Sequence, residues 1–138
     1  MLAIFDHQLN CFTMKLFLLF ALVSFTACSG SKVVQTDLYF GQSKPDGTNV
    51  SVKDWEDFSA KYICSVFKEG SSVVNSNGNW YDTASKKIIT EPSWLVISVN
   101  RMTPGLSKQI DSIGYWYKKK FDQQSVLRVD KRAKLLFL

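Results

Sequence analysis

Apolar residues change their spacing along this chain, and each change marks an element. Leu16 to Phe25 is an apolar block of ten residues in which Ser24 is the one polar member. From Gln35 to Gly41 the period is two. Thr36, Leu38 and Phe40 point one way and Asp37 and Tyr39 the other, which predicts a strand. A loop follows to Asn49, with Pro45-Asp46-Gly47 as a turn. Over Ser51–Phe67 the period lengthens to that of a helix. Trp55, Phe58, Tyr62 and Val66 form one stripe, flanked by Ile63 and Phe67. Ser51 with Asp54 is a form of the capping box, and Gly70 is the expected C-cap. Cys64 sits beside the stripe and is expected to be a small buried core residue.

Short strand pieces are expected at Ser72–Asn75 and Trp80–Asp82, around an Asn-Gly turn at Ser76–Asn79. Ala84–Lys87 reads as a second turn. Ile88 and Ile89 begin a further strand that Pro92 interrupts. Trp94–Val99 (WLVISV) is the strongest strand, apolar on both faces, as a central strand buried on both sides would be. Thr103-Pro104 opens a second helix with the apolar stripe Leu106, Ile110, Ile113, Tyr117 and Phe121. Lys118, Lys119 and Lys120 close it, where cations suit the helix dipole. Ser125–Asp130 is the last full strand, and Leu135–Leu138 is a further short strand or a docked tail. The order β-α-β-β-α-β predicts an α+β, ferredoxin-like domain over residues 35–138: one antiparallel four-stranded sheet with two helices on one face, and WLVISV at its centre.

The apolar block before this domain changes the picture of where it works. Ten residues are too few to span a bilayer. Lys15, the block and the small residues before a cut read as a secretory signal over residues 14–27. Phe25-Thr26-Ala27-Cys28 resembles a bacterial lipobox, with Phe25 where Leu is usual. Cys28 is then lipidated with fatty-acyl chains of the palmitate kind and becomes the membrane anchor, since two or more chains hold stably. Residues 28–34 are a tether. Residues 1–13 carry Asp6 and His7 where a signal carries positive charge, so Met14 reads as the start and the preceding stretch as a gene-start artefact. Ser29 after the cysteine implies sorting to the outer membrane, facing the periplasm, in a Gram-negative cell.

Composition then narrows the chemistry. The net charge of +5 survives the cut, which removes one basic residue, Lys15, and one acidic residue, Asp6. The single histidine is His7, so the mature domain has none, and Cys64 is its one free thiol. Ser-His-Asp and Cys-His catalysis, His-ligated zinc, thiolate zinc and His-ligated haem are thereby excluded, and neither a cofactor nor a metal site is expected. Nucleic acid is not expected as a partner of an exported domain.

The stretches TDLYFG, DWEDF, GNW, EPSWLVISV and FDQQSVLRVD, in that order from Gln35 to Asp130, resemble the domain-of-unknown-function 3574 family of small bacterial proteins, many of them secreted or lipid-anchored. Members tend to carry a Pro-rich turn after the first helix. Here that place holds Cys64–Gly70 without proline, which implies a longer helix. The resemblance implies no activity and no catalytic residue.

Candidate sites follow from alternation. If Leu38, Phe40, Leu127 and Val129 face the helices, Tyr39, Trp94 and Arg128 share the open face of the sheet. Two aromatic rings and a guanidinium suit a flat aromatic or anionic ligand, and equally suit a homodimer interface. Glu91, held extended by Pro92, is a candidate ligand-binding residue or general base beside them. Asp37 and Asp130 with Glu91 form no known metal loop. Lys118–Lys120 with Lys131, Arg132 and Lys134 are either a solvated surface or a contact for anionic lipid heads. The leading expectation is a non-catalytic binding or interaction module at the cell envelope. The rival is a cofactor-free enzyme of the dimeric α/β barrel type, using Tyr39, Glu91 and Arg128.

Overall fold

The computed structural model describes residues 32–138. The signal segment, the Met14 start and the Cys28 anchor lie outside them. Strand β1 is Lys32–Gly41, so Lys32–Val34 belong to the sheet and not to the tether. Helix α1 runs over residues 52–66. Strands β2 (Ser72–Asp82) and β3 (Lys87–Met102), helix α2 (Pro104–Phe121) and strand β4 (Leu127–Arg132) follow. The sheet order is β2-β3-β1-β4 with every pair antiparallel. This is the ferredoxin-like arrangement, with β1 and β3 at the centre.

Helix α1 begins where Ser51 caps it. Its Oγ accepts from the Asp54 N–H at 3.1 Å and donates to the Asp54 carboxylate at 2.7 Å. The helix is not regular throughout. Ser59–Ile63 forms a π turn, which adds a residue to one turn. The buried series therefore steps Trp55, Phe58, Ile63, Phe67, and Tyr62 is displaced to the rim. Cys64 is carried outward with the same step and is exposed, contrary to the expectation of a core thiol. The helix ends at Phe67, whose backbone leaves the helical region, and Gly70 follows at φ +111°.

The expected Asn-Gly turn does not form. Residues 72–82 are one strand in unbroken register with β3, Asn77 opposite Pro92 and Gly78 opposite Glu91. The reversal lies at Asp82–Lys87. There the Asp82 carboxylate accepts from the Ala84 and Ser85 N–H groups at 3.0 and 3.1 Å, and Lys86 adopts φ +55°. Asn79 instead accepts from Thr90 Oγ1 across the strands at 2.8 Å. Pro92 does not interrupt β3. Its carbonyl accepts from Gln42 N, which places its missing N–H on the β1 side just beyond the last paired residue, Gly41. The Gln42 carbonyl is taken by Val50 N at 2.8 Å, so no ladder bond is lost. Residues 133–138 form no strand, and Leu136, Phe137 and Leu138 are exposed.

The core lies between one sheet face and the two helices, from Leu38 to Phe121. Its centre is aromatic. Trp55 of α1 stacks on Trp94 of β3 at 4.3 Å between ring centres and 11° between planes. Phe40, Phe58, Tyr117 and Phe121 pack around them, with Phe40 and Tyr117 edge to face at 4.7 Å. Tyr117 is fully buried, and its hydroxyl donates to the Gly41 carbonyl at 2.8 Å. Burial, with the Glu91 charge nearby, pushes that phenol far above its ordinary pKa, so it stays a donor.

Edge strand β4 is held on both faces. Toward the helices, the Arg128 guanidinium donates to Asp111 at 2.6 Å, to the Ser107 carbonyl at 3.1 Å and to Asp130 at 2.7 Å. Burial alone would lower its pKa, and the carboxylates of Asp130 and Asp111 outweigh this and raise it. On the other face, buried Asp37 accepts from Lys131 at 3.0 Å and from Gln35 at 2.8 Å. Burial opposes the charged form of Asp37, but these two donors prevail and its pKa is lowered.

Two outcomes follow from this packing. Trp55→Ala leaves Trp94 without its stacked partner and is expected to lower stability by about 3–5 kcal/mol, read as a shift in urea midpoint at unchanged slope. A depressed carboxylate pKa stabilises the fold above its unfolded value of about 3.9, and that contribution is lost as pH falls below it. Asp37→Asn is therefore expected to reduce stability at neutral pH by about 1–2 kcal/mol and to flatten the loss on acidification. An unchanged acid limb in chemical denaturation would show that Asp37 is not the linked group.

Candidate functional site: the uncovered sheet face

Directly paired residues share a face, so the register assigns every side chain of the sheet. Phe40 pairs with Trp94, and Leu38 with both Val96 and Arg128. Trp94 and Arg128 are thus on the helix face, Trp94 inside the core and Arg128 at its β4 edge. Tyr39 pairs with Leu95 and Leu127 and lies on the opposite face. The expected trio of Tyr39, Trp94 and Arg128 is not brought together. The fault lies in the parity given to β3 and β4. Leu127 and Val129 face away from the helices, and Arg128 faces them. Arg128 is also saturated by Asp111, Ser107 and Asp130 and offers no free donor fork to an anion.

Glu91 lies at the far end of the sheet. Its carboxylate accepts from Ser43 N at 3.2 Å and lies in the space that a Cβ on Gly41 would enter. Gln123 reaches the same corner and donates to the Ser43 carbonyl at 2.6 Å. This cluster with Tyr117 ties the loop after β1 to the end of α2. Asp37 and Asp130 project from opposite faces, so they and Glu91 do not converge. Among the described residues no group of carboxylate, Cys or His side chains is arranged to hold a metal.

The face away from the helices is apolar. Tyr39, Leu95, Ile97, Val99 and Val129 occupy its middle half-buried, and no part of the described chain covers them. Val74 and Leu127 flank them at 45% and 58% exposed. From Trp94 to Asn100 the burial of β3 alternates between full and half, so the doubly buried strand expected from WLVISV is covered on one face only among the described residues. Asp37 lies in the same face, neutralised by Lys131.

Beyond Ser93 the sheet narrows. β1 has ended, and β2 and β3 continue as a two-stranded arm to the turn at Asp82–Lys87. Trp80 lies by parity on the uncovered face of this arm, with Tyr81 and Ile88 on the other. Their exposures are 52%, 59% and 73%. The arm is hidden in the sequence because Asn77-Gly78 has the residues of a hairpin reversal. The alternation of Val74, Ser76, Gly78 and Trp80 runs straight through it and was the available signal. A separate groove of about 220 Å³ lies between α2 and β4, lined by Ile110, Asp111, Gly114, Lys118, Ser125 and Arg128.

None of the curated proteins matches this chain in sequence. Among solved structures it is similar to a phage SAM lyase in complex with S-methyl-5'-thioadenosine, with a TM-score of 0.59 and 18% identity over 79% of this chain and 88% of that one. It is similar to a phage SAM lyase in the apo state at a TM-score of 0.55, with 18% identity over 79% and 87% of the two chains. At this identity the likeness is one of fold. A family model matches residues 35–137, the whole span from the middle of β1 to the C-terminal segment, and on that match the chain belongs to DUF3574, a family of proteins of unknown function.

Proposed function

We propose that this chain is a lipid-anchored protein of the cell envelope whose domain is a non-catalytic interaction module, assembling with a second copy through the uncovered sheet face and its arm. The observation that carries this reading is the apolar surface of Leu127, Tyr39, Leu95 and Val74 on the body of the sheet, with Trp80 on the same face of the arm beyond Ser76 and Gly78. Apolar area of this kind on a small protein marks a contact surface. Its size fits. Four strands at ordinary spacing are about 19 Å wide, and the paired length of β1 is about 33 Å, giving a footprint of about 600 Å². A standard interface takes about 800 Å² per partner, and the arm supplies the difference. An isolated two-stranded hairpin is marginal in water. An arm with large side chains exposed on both sides is better explained by a partner than by solvent. The sequence basis for the anchor is the Phe25–Cys28 lipobox.

A second reading, a cofactor-free enzyme acting on a small aromatic or anionic substrate, is favoured by the groove beside Arg128 and Lys118 and by the lyase fold bound to a thionucleoside. The two readings separate on addition of S-methyl-5'-thioadenosine. The interaction reading expects no change in melting temperature; a rise that Lys118→Ala removes supports the enzyme.

Light scattering of residues 31–138 at micromolar concentration is expected to give a dimer or larger assembly. Leu127→Asp and Trp80→Asp sit on exposed positions and should leave the fold intact while shifting the mass to monomer. A monomeric parent protein overturns the assembly reading. In cells, Cys28→Ala is expected to release the protein from the membrane fraction and leave the signal segment uncut. Retention with normal processing rules out the anchor.

A further inference from the structure

On the side of the domain away from the sheet, three aromatic rings stand together in the helix layer. Tyr62 of α1 stacks on Trp116 of α2 at 5.9 Å and 25°, and Tyr115 meets Trp116 at 5.1 Å and 76°. Tyr62 is half-buried at the rim, its ring 4.9 Å from that of Phe58, because the π turn gives its inward place to Ile63. Tyr115 is 53% and Trp116 39% exposed. Lysines frame the rings. Lys61 Nζ lies 5.0 Å from the Tyr62 ring centre, and Lys119 Nζ lies 5.5 Å from Trp116 and 6.0 Å from Tyr115. Lys118 and Lys120 adjoin Lys119 on α2, Lys118 lining the groove toward β4 and Lys120 Nζ 5.1 Å from the Phe121 ring centre. Among the described residues these four lysines make no ion pair, whereas nearby Asp57 and Asp111 are engaged by Lys53 and Arg128.

We infer that this patch is a docking surface for an anionic lipid bilayer. Tyr and Trp rings prefer the level of the headgroups, where one end is apolar and the other wet. Lysines extend their apolar stems along such rings and keep the ammonium in the headgroup layer. Each lysine near an anionic surface raises partitioning by about fivefold. The four unpaired lysines and the domain's net positive charge give this side the sign that anionic headgroups require. The inference stands on the folded domain alone. It rests neither on acylation of Cys28 nor on what covers the sheet.

The test is sedimentation of residues 31–138 with extruded vesicles, phosphatidylcholine alone against a mixture containing about one-third phosphatidylglycerol. Binding is expected to the anionic vesicles only, and to weaken steeply with added salt. The Lys61→Glu, Lys119→Glu double variant and the Tyr115→Ala, Trp116→Ala double variant should each lose at least about tenfold in partitioning. Arg132→Glu with Lys134→Glu removes as much charge from β4 and the tail and should lose far less. Quenching of Trp116 by brominated lipid, read against Trp116→Phe, reports insertion whether or not other variants fold. Equal losses from the two charge-reversed pairs would reduce the effect to net charge and overturn the patch. Binding to neutral vesicles, no binding, or an unquenched Trp116 would do the same.

Discussion

The opposition of Phe40 and Trp94 across β1 and β3 is the constraint on which the rest of the molecule depends. It puts an indole on the helix side of the central strand pair, and Trp55 of α1 then stacks on it. Tyr117 of α2 closes against Phe40. Both helices are thus docked through rings that one register places. Because side chains alternate, a slip of one residue would exchange the two faces of the whole sheet. The same pairing leaves Tyr39, Leu95 and Leu127 on the outer face, so the core and the uncovered surface are two results of one register.

Much of this was legible in the sequence. The order of elements, the central place of WLVISV, the stripe of α2 and the caps at Ser51 and Thr103 all follow from local chemistry, and the structure carries them. Local chemistry also misled where pairing overrode it. Asn77-Gly78 has the residues of a hairpin turn, yet pairing with β3 before and after it holds it extended. Pro92 looks like a strand breaker until the end of β1 beside it is known. Arg128 alternates as an outward residue would, and no local pattern shows that Asp111 and Ser107 wait for it on α2. The candidate site failed for that reason: it needed a face assignment between strands far apart in sequence.

The π turn in α1 has a different standing. Its extra residue converts a regular stripe into one that buries Ile63 and presents Tyr62. Such turns are uncommon and are often found at working surfaces. Here one local irregularity supplies the ring that completes the Tyr115–Trp116 pair. The two faces of the domain therefore have distinct origins. The sheet face is what β pairing leaves over, and the helix-side patch is made by a departure from helical regularity.

The arm beyond Ser93 has a consequence for how the molecule breathes. Among the described residues its strands pair only with each other, and beyond the bonds from Gln42 and Ser43 at its base nothing else in the backbone ladder holds them, while the body of the sheet is four strands wide and backed by the core. The arm's opening is thereby uncoupled from global unfolding, and its amides belong to the low end of the range of opening free energies. Whatever seats itself against Trp80, Tyr81 or Ile88 must bear the entropy of quieting that segment, and binding there is tuned by how ordered the arm already is. Hydrogen exchange in residues 77–91 would register occupancy directly, with slow amides when a neighbour is seated and fast ones when it is not.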